Sequence, residues 1–256
     1  MKRDQIALQL WTVRAHLKDA ASFAASMKRL REMGYRNVQM SGQGPIPTAE
    51  LKRICDGEGI RVCATHEAGK TIIENPEEVV ETLGVFGCKD TSYAYPHVPL
   101  TGESDAKSLA SALNRSGEKL ARAGIRLTYH NHAIEFKKAG RRPLLEILYA
   151  ETDPRFLQGE IDVYWVQAGG SDPVAWCERL EGRLPLVHLK DYGINTDNKP
   201  RIAELGNGNL DFPRIVAAAE ASGCEWFIIE QDADFEVDAF DSARQSLAYL
   251  SGLASA

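Results

Sequence analysis

The chain lacks long uncharged apolar runs, and it has no excess of basic residues. No window approaches the roughly 18 apolar residues that indicate a membrane span. The short apolar run after Met1-Lys-Arg-Asp-Gln5 is typical of a strand, so we expect neither a membrane anchor nor a signal peptide. A net charge of −6 argues against binding to nucleic acid irrespective of its base sequence, because such binding needs a basic protein surface. We therefore expect no membrane and no nucleic-acid partner.

The chain also lacks a disulfide or zinc-binding cysteine pattern. Its five cysteines are odd in number, are widely spaced and form no C-x-x-C pair. Free buried thiols are typical of a reducing compartment, so we expect a cytoplasmic protein. The cysteines are Cys55, Cys63, Cys88, Cys177 and Cys224.

Eight short apolar segments, each followed by a helical pattern, predict the fold. Helical spacing over 20–33 ends at Gly34, and Pro76 opens a helix over 76–86. Eight strand-then-helix units in 256 residues predict a single (β/α)8 TIM barrel, α/β in class, with one domain over 1–256. An open doubly wound sheet would need a glycine-rich turn after the first strand, which the Gln9–Arg14 stretch lacks. The predicted strands are 6–10, 37–40, 60–64, 89–92, 126–129, 156–161, 184–189 and 226–229.

Polar, ligand-capable residues follow these predicted strands. Five of the six histidines lie at or just beyond a strand end, and such ends converge on one mouth of a barrel. Imidazoles combined with several carboxylates suit one divalent cation, either Mn, Co, Mg or Zn. The residues are His66, Glu67, His97, His130, His132, Glu135, Asp162, His188, Lys190, Glu230 and Asp232.

Each of these residues also has a structural interpretation. Asp162 could cap the chain that follows it, His188 could be a core histidine, and Glu230 could pair with a basic residue at the mouth. Lys190 could form only a salt bridge, and Trp11 could pack rather than contact a sugar. A further alternative concerns the Gly206-Asn-Gly208 turn, whose amides could approach a phosphate, although a plain turn is favoured.

Five segments resemble the sugar phosphate isomerase/epimerase superfamily, the xylose isomerase-like TIM barrels. They are Tyr129-His-Asn-His-Ala-Ile-Glu-Phe136, Gly159-Glu-Ile-Asp-Val-Tyr-Trp165, Val187-His-Leu-Lys-Asp191, Glu204-Leu-Gly-Asn-Gly-Asn-Leu-Asp211 and Phe227-Ile-Ile-Glu230. In that superfamily a Glu, an Asp, a His and a second Glu hold a metal ion. The resemblance gives three of these places to Asp162, His188 and Glu230.

The first glutamate of the family pattern is missing, because His130 stands where strand five ends. The resemblance therefore favours Glu135 as the fourth ligand, if its loop folds back, with His130 as the alternative. His132 would be a nearby base. The Tyr-His-Asn-His form is similar to a branch that includes enzymes acting on keto-sugars and inositols.

The expected function is that of a metal-dependent sugar isomerase or epimerase that abstracts a proton next to a carbonyl and forms an enediolate. Elimination of water from a keto-sugar or keto-inositol is the alternative. A non-catalytic sugar-binding barrel and an endonuclease IV-like phosphodiesterase are less favoured, and homo-oligomerisation is left open. The catalytic candidates are His132, Glu135 and Lys190. The candidate substrate contacts are His66, His97, His130, Lys190 and Trp11.

Overall fold

The computed structural model describes residues 1–254 and contains a closed barrel of eight parallel strands. Each strand pairs with the next along the chain, and β8 pairs with β1. The predicted (β/α)8 fold is therefore confirmed. The strands are β1 (Ile6–Gln9), β2 (Asn37–Met40), β3 (Arg61–Glu67), β4 (Asp90–Tyr93), β5 (Arg126–His130), β6 (Gln158–Asp162), β7 (Leu186–Leu189) and β8 (Trp226–Ile229).

Helices surround the barrel, and none within residues 1–254 is both long and apolar enough to cross a membrane. The 3₁₀ turns are Arg3–Gln5, Leu10–His16 and Ala133–Phe136. The α-helices are α1 (Ala20–Met33), α2 (Thr48–Gly57), α3 (Gly69–Glu74), α4 (Pro76–Phe86), α5 (Glu103–Arg122), α6 (Leu144–Ala150), α7 (Val163–Ala168), α8 (Pro173–Arg179), α9 (Phe212–Ala221) and α10 (Ala239–Leu253).

Local signals set several helix ends. The side chain of Asp19 accepts a hydrogen bond from the amide of Ser22 at the start of α1, and Gly34 ends that helix with a φ of 112°. Pro76 occupies the first turn of α4, as predicted. Thr48 resembles a capping residue in the sequence, but it is already helical in α2, and Pro47 precedes it without a side-chain cap.

Several short elements around the mouth of the barrel were not predicted from the sequence. Helix α7 begins directly after Asp162, and helix α3 follows β3 within two residues. Strand β3 extends to Glu67, so His66 is part of the strand rather than of a loop. Two small antiparallel hairpins also lie outside the barrel; they pair Lys138–Ala139 with Arg142–Pro143, and Asp191–Ile194 with Pro200–Ala203.

Strand register brings polar side chains to a common level inside the barrel. His130 is in register with Glu160, and Asp162 with His188. Register partners on neighbouring strands project to the same side, so these inward-facing residues lie together. An apolar cluster fills part of the barrel; its members are Ala7, Cys63, Ala64, Leu186, Trp226 and Ile228. The mouth therefore carries the polar groups, and apolar packing supports them.

Candidate metal centre and active site

Four buried side chains at the carboxyl ends of β5–β8 converge on one point. His130, Asp162, His188 and Glu230 can each offer one ligand atom, and these atoms all lie within 4.8 Å of one another. Three of the four are the metal ligands predicted with the help of the family resemblance, and His130 is the predicted alternative. Imidazole and carboxylate donors in one compact group are a donor set for a divalent cation.

Two buried atoms without a hydrogen bond indicate that this group fits a cation. Asp162 Oδ2 and His130 Nδ1 make no hydrogen bond within residues 1–254, although Lys190 Nζ lies 3.2 Å from the first and Glu160 Oε2 lies 3.3 Å from the second. Buried polar atoms almost always find a partner, so such atoms need an explanation. A divalent cation supplies one for Asp162, because it would coordinate the oxygen that now has only an ion-pair contact with Lys190.

Lys190 is fully buried and is the basic partner of the carboxylates. Its Nζ lies 3.2 Å from Asp162 Oδ2, 2.9 Å from Glu230 Oε2 and 3.0 Å from Asp232 Oδ2. Burial would lower the pKa of Lys190, but Asp162 and Glu230 outweigh burial and raise it. One ammonium faces three carboxylates, so the mouth retains negative charge that a cation would offset.

The four ligand-capable groups have shifted pKa values. Burial raises the pKa of Asp162 against the opposing effect of Lys190. Burial opposes ionisation of Glu230, yet Lys190 and His188 hold the pKa of that carboxyl well below its usual range. Burial alone would lower the pKa of His188, but Glu160 raises it to about 10. The pKa of His130 is well below the ordinary value, chiefly because of burial.

The structure does not bring Glu135 to this group. The Ala133–Phe136 turn does fold back, but it delivers the carboxylate to its own strand. Glu135 Oε1 accepts a hydrogen bond from Tyr129 Oη at 2.9 Å, and Oε2 accepts one from the His132 amide at 2.8 Å. Burial raises the pKa of Glu135 to about 7. Both oxygens of Glu135 are therefore already occupied.

A cavity of about 300 Å³ opens beside the four-residue group. His132 lines it, and His132 Nδ1 is a buried atom that has no hydrogen-bond partner among the described residues. Burial and the charge of Lys190 lower the pKa of His132 to about 4, so its imidazole is neutral near pH 7. The lining residues are Trp11, Ser41, His66, Ala94, Tyr95, His130, His132, Glu230 and Asp232.

The remaining predicted contacts divide into two groups. Trp11, His66 and His130 line this cavity, whereas His97 does not. His97 is exposed, and its Nδ1 lies 2.8 Å from Tyr93 Oη. Lys190 does not line the cavity either, because it is fully buried with its Nζ among three carboxylates.

The Gly206–Gly208 turn has no amides left for a phosphate. The carboxylate of Asp191 accepts hydrogen bonds from the amides of Gly206, Gly208, Leu210 and Tyr192, at 2.8–3.2 Å. A Cβ at position 208 would collide with that carboxylate, which explains the glycine. The turn is therefore structural, as the favoured interpretation held.

A larger cavity of about 520 Å³ lies at the opposite end of the barrel. Three of its charged lining residues are paired, since Asp90 accepts two hydrogen bonds from Arg126, and Glu225 contacts both Arg126 and Lys89. The ligand-capable group lies at the other mouth, where barrel enzymes carry their chemistry. We therefore place the site beside the smaller cavity.

Sequence patterns missed three polar residues beneath the ligands, which are Gln9, Gln39 and Glu160. All three are fully buried. Glu160 belongs to a second ligand-capable group with His66, His130 and His188. A usable signal existed, because Glu160 stands two residues before Asp162 on one strand and so faces the same side.

Comparison with known proteins decides the family. A sequence model of the xylose isomerase-like TIM barrel family matches residues 27–253. The chain belongs to the xylose isomerase-like TIM barrel family. The superfamily resemblance of the five segments is thereby confirmed.

Three relatives illustrate the range of this TIM barrel family. An inosose dehydratase of Lacticaseibacillus casei is 26% identical over 90% of this chain and 89% of its own. The inosose dehydratase of Geobacillus thermodenitrificans is 28% identical, but the match spans 59% of this chain and only 56% of that enzyme. A sugar phosphate isomerase/epimerase structure from Parabacteroides distasonis superposes with a TM-score of 0.81 at 25% identity, covering 96% and 93% of the two chains. These relatives are named for enzymes, in agreement with the prediction of an enzyme of this broad class.

Proposed function

We propose that the protein is a divalent-metal-dependent dehydratase that removes water from a keto-inositol or keto-sugar. The observation that carries this proposal is the match to an inosose dehydratase along nine-tenths of both chains. The ligand-capable group beside a histidine-lined cavity supports it. Dehydration was the alternative to isomerisation in the sequence analysis, and the relatives now favour it.

The cavity favours a substrate without a phosphate group. Its lining residues include no lysine or arginine, and Glu230 and Asp232 give it acidic character. Arg14 at the rim donates hydrogen bonds to the carbonyl oxygens of Trp11 and Asp232. A phosphate would need basic side chains or free amides, so a neutral polyol ketone is the better fit.

We assign the cation to Asp162, His188 and Glu230, with His130 rather than Glu135 in the fourth position. When bound, a divalent cation would supply Lewis acidity that stabilises negative charge on a substrate oxygen. The protein's part is to hold these donors rigidly in a water-poor pocket, where all four side chains are buried.

His132 is the proposed base. Its low pKa keeps the imidazole neutral near pH 7, so it can take the proton from the carbon next to the substrate carbonyl. The electrons of that C–H bond form the enediolate of the substrate. The C–O bond at the carbon β to the carbonyl then breaks. The departing hydroxide takes the proton from His132 and leaves as water. The resulting enol rearranges to a 1,2-diketone, so the products are a diketone and one water.

Product analysis tests this reaction. Manganese-loaded protein incubated with an inosose should yield a 1,2-diketone, which o-phenylenediamine traps as a quinoxaline. Asp162→Asn should give none, whereas Asp153→Asn, a surface carboxylate paired with Arg155, should match the wild type. If the loaded wild type forms no diketone from any keto-inositol or keto-sugar, the dehydratase proposal is wrong.

A second candidate function is isomerisation or epimerisation of an unphosphorylated sugar. The Parabacteroides structure named as a sugar phosphate isomerase/epimerase, 25% identical and similar over nearly the whole chain, favours this type of reaction. The lack of lysine and arginine in the cavity lining favours the unphosphorylated substrate. The same base could return its proton to the neighbouring carbon or to the other face. Deuterium incorporated from heavy water into an isomeric product, with no loss of water, would select this function over dehydration.

A further inference from the structure

A closed ring of hydrogen bonds lies directly beneath the proposed cation site. Gln39 Nε2 lies 2.6 Å from Glu160 Oε1, and His66 Nε2 lies 2.6 Å from Glu160 Oε2. Gln9 Nε2 completes the ring, since it lies 3.1 Å from both Gln39 Oε1 and His66 Nδ1. Gln9, Gln39 and Glu160 are fully buried, so their donors and acceptors must be matched by other protein groups rather than by solvent.

The carboxylate of Glu160 fixes the direction of every bond in this ring. An ionised carboxylate only accepts, so Gln39 must turn its amide NH₂ toward Glu160. The Gln39 carbonyl oxygen then faces Gln9, which must donate to it. The second N–H of Gln9 points to His66 Nδ1, and His66 therefore carries its proton on Nε2 and donates it to Glu160.

The same oxygen, Gln39 Oε1, also accepts a hydrogen bond from His188. His188 Nε2 lies 2.6 Å from Gln39 Oε1 and 3.4 Å from Glu160 Oε1. Because both neighbours are acceptors, His188 must carry a proton on Nε2. The other nitrogen of the imidazole, His188 Nδ1, lies 3.1 Å from Glu230 Oε2. It is therefore the nitrogen on which a cation can replace the proton.

We propose that Gln39 and Glu160 are positioning residues that fix His188 in its Nε2–H form, with the Nδ1 lone pair directed at the cation site. The inference rests on the proposed metal site and adds the residues that prepare it. A histidine ligand commonly donates its second ring N–H to a carboxylate or carbonyl oxygen, which sets the ring orientation and increases its basicity. Here the neutral amide oxygen of Gln39 accepts that N–H, and the carboxylate of Glu160 orients the Gln39 amide.

The arrangement also argues against a second cation among His66, His130, Glu160 and His188. The ring already uses both oxygens of Glu160 and both nitrogens of His66. A cation there would have to break two short hydrogen bonds. The four-residue group above the ring, in contrast, contains Asp162 Oδ2, which makes no hydrogen bond within residues 1–254 and has only an ion-pair contact with Lys190.

Nitrogen NMR of the zinc-loaded wild type tests the tautomer without any substitution. The protein, labelled with ¹⁵N at its six histidines, should show a His188 imidazole that is protonated at Nε2 and bound through Nδ1. The Nε2 proton should exchange slowly with water, because it is buried in the ring. A His188 ring that is bound through Nε2 would overturn the inference.

Zinc affinity of matched variants tests the role of the ring. Gln39→Met removes both hydrogen-bonding groups at similar volume, and we expect about 10- to 100-fold weaker binding. Glu160→Gln should weaken binding in the same range. Both oxygens of Glu160 accept hydrogen bonds, so the NH₂ group of the new glutamine would face the N–H of either Gln39 or His66. Gln5→Met is the control and should bind as the wild type does, since Gln5 contacts the Glu225 carbonyl oxygen at the other end of the barrel.

The outcomes separate this inference from the proposed function. Wild-type binding with unchanged affinity in both ring variants would overturn the positioning role and leave the metal site standing. Weakened binding in the variants of a protein that dehydrates no substrate would support the ring and refute the reaction. A wild type that binds no divalent cation would overturn both.

Discussion

His132 is the residue whose removal should separate cation binding from reaction. It lines the cavity but lies outside the four-residue ligand group. His132→Gln should lower kcat by about 10²- to 10⁴-fold, the usual contribution of a positioned base. Cation occupancy, measured by elemental analysis, should stay at the wild-type value. His16→Gln, at a histidine that packs on Phe240, should leave kcat unchanged. A His132→Gln enzyme with full activity would remove the base from the mechanism.

Glu135 should make the stability of the metal-free protein depend on pH. Burial raises the pKa of this fully buried carboxyl to about 7 from an ordinary 4.5. The folded state therefore holds the proton more tightly than the unfolded chain, and stability is lost as pH rises from about 4.5 to about 7. A difference of this size corresponds to about 3 kcal/mol.

Glu135→Gln tests that linkage, because the amide can still accept from the His132 N–H and donate to the Tyr129 hydroxyl. Denaturant unfolding at pH 5 and pH 8, with chelator present, should show a larger loss of stability in the wild type than in the variant. Equal losses would mean that Glu135 is ionised in the folded protein at both pH values. Other titrating groups cancel in the comparison.

At the scale of elements, Asp162 joins strand β6 to helix α7 and serves two purposes. Its Oδ1 accepts a hydrogen bond from the Trp165 amide at 3.1 Å and caps α7, while Oδ2 belongs to the ligand group. The capping interpretation and the metal interpretation of the sequence are therefore compatible. Asparagine caps a helix about as well as aspartate, whereas alanine does not.

Asp162→Asn and Asp162→Ala should therefore differ in stability without differing in cation binding. Both should lose cation affinity, because neither keeps the carboxylate. In the absence of metal, Asp162→Ala should be about 1 kcal/mol less stable than Asp162→Asn, since it also loses the cap. Denaturant unfolding of both variants measures this difference. Equal stability would show that the Trp165 hydrogen bond contributes nothing to α7.

At the scale of the whole molecule, the barrel could be predicted from the sequence because the patterns that indicate its strands and helices are local. Short apolar strands, helical spacing and the signals at Gly34 and Pro76 each act over a few residues, and the structure confirms them. Asp162, His188 and Glu230 lie at strand ends, so topology alone brings them together. Topology alone does not place Glu160 or Glu135. Strand alternation gives the face on which Glu160 lies, but not its depth in the barrel or its partners, and the position of Glu135 depends on how one 3₁₀ turn folds back.

Cation binding should stabilise the whole molecule, because the proposed donors come from four different strands. A cation that binds only the folded state stabilises it by about 2.7 kcal/mol at 100 times its Kd. For a chain of this size, that corresponds to an increase in Tm of roughly 5–10 °C. Thermal unfolding in a Mn²⁺ titration should show this increase in the wild type and in Asp153→Asn, and chelator should reverse it. Asp162→Asn and Glu230→Gln should show little increase at the same Mn²⁺ concentration. A wild-type Tm that is independent of Mn²⁺, Co²⁺, Mg²⁺ and Zn²⁺ would mean that the convergent carboxylates are balanced by Lys190 and protonated His188 alone.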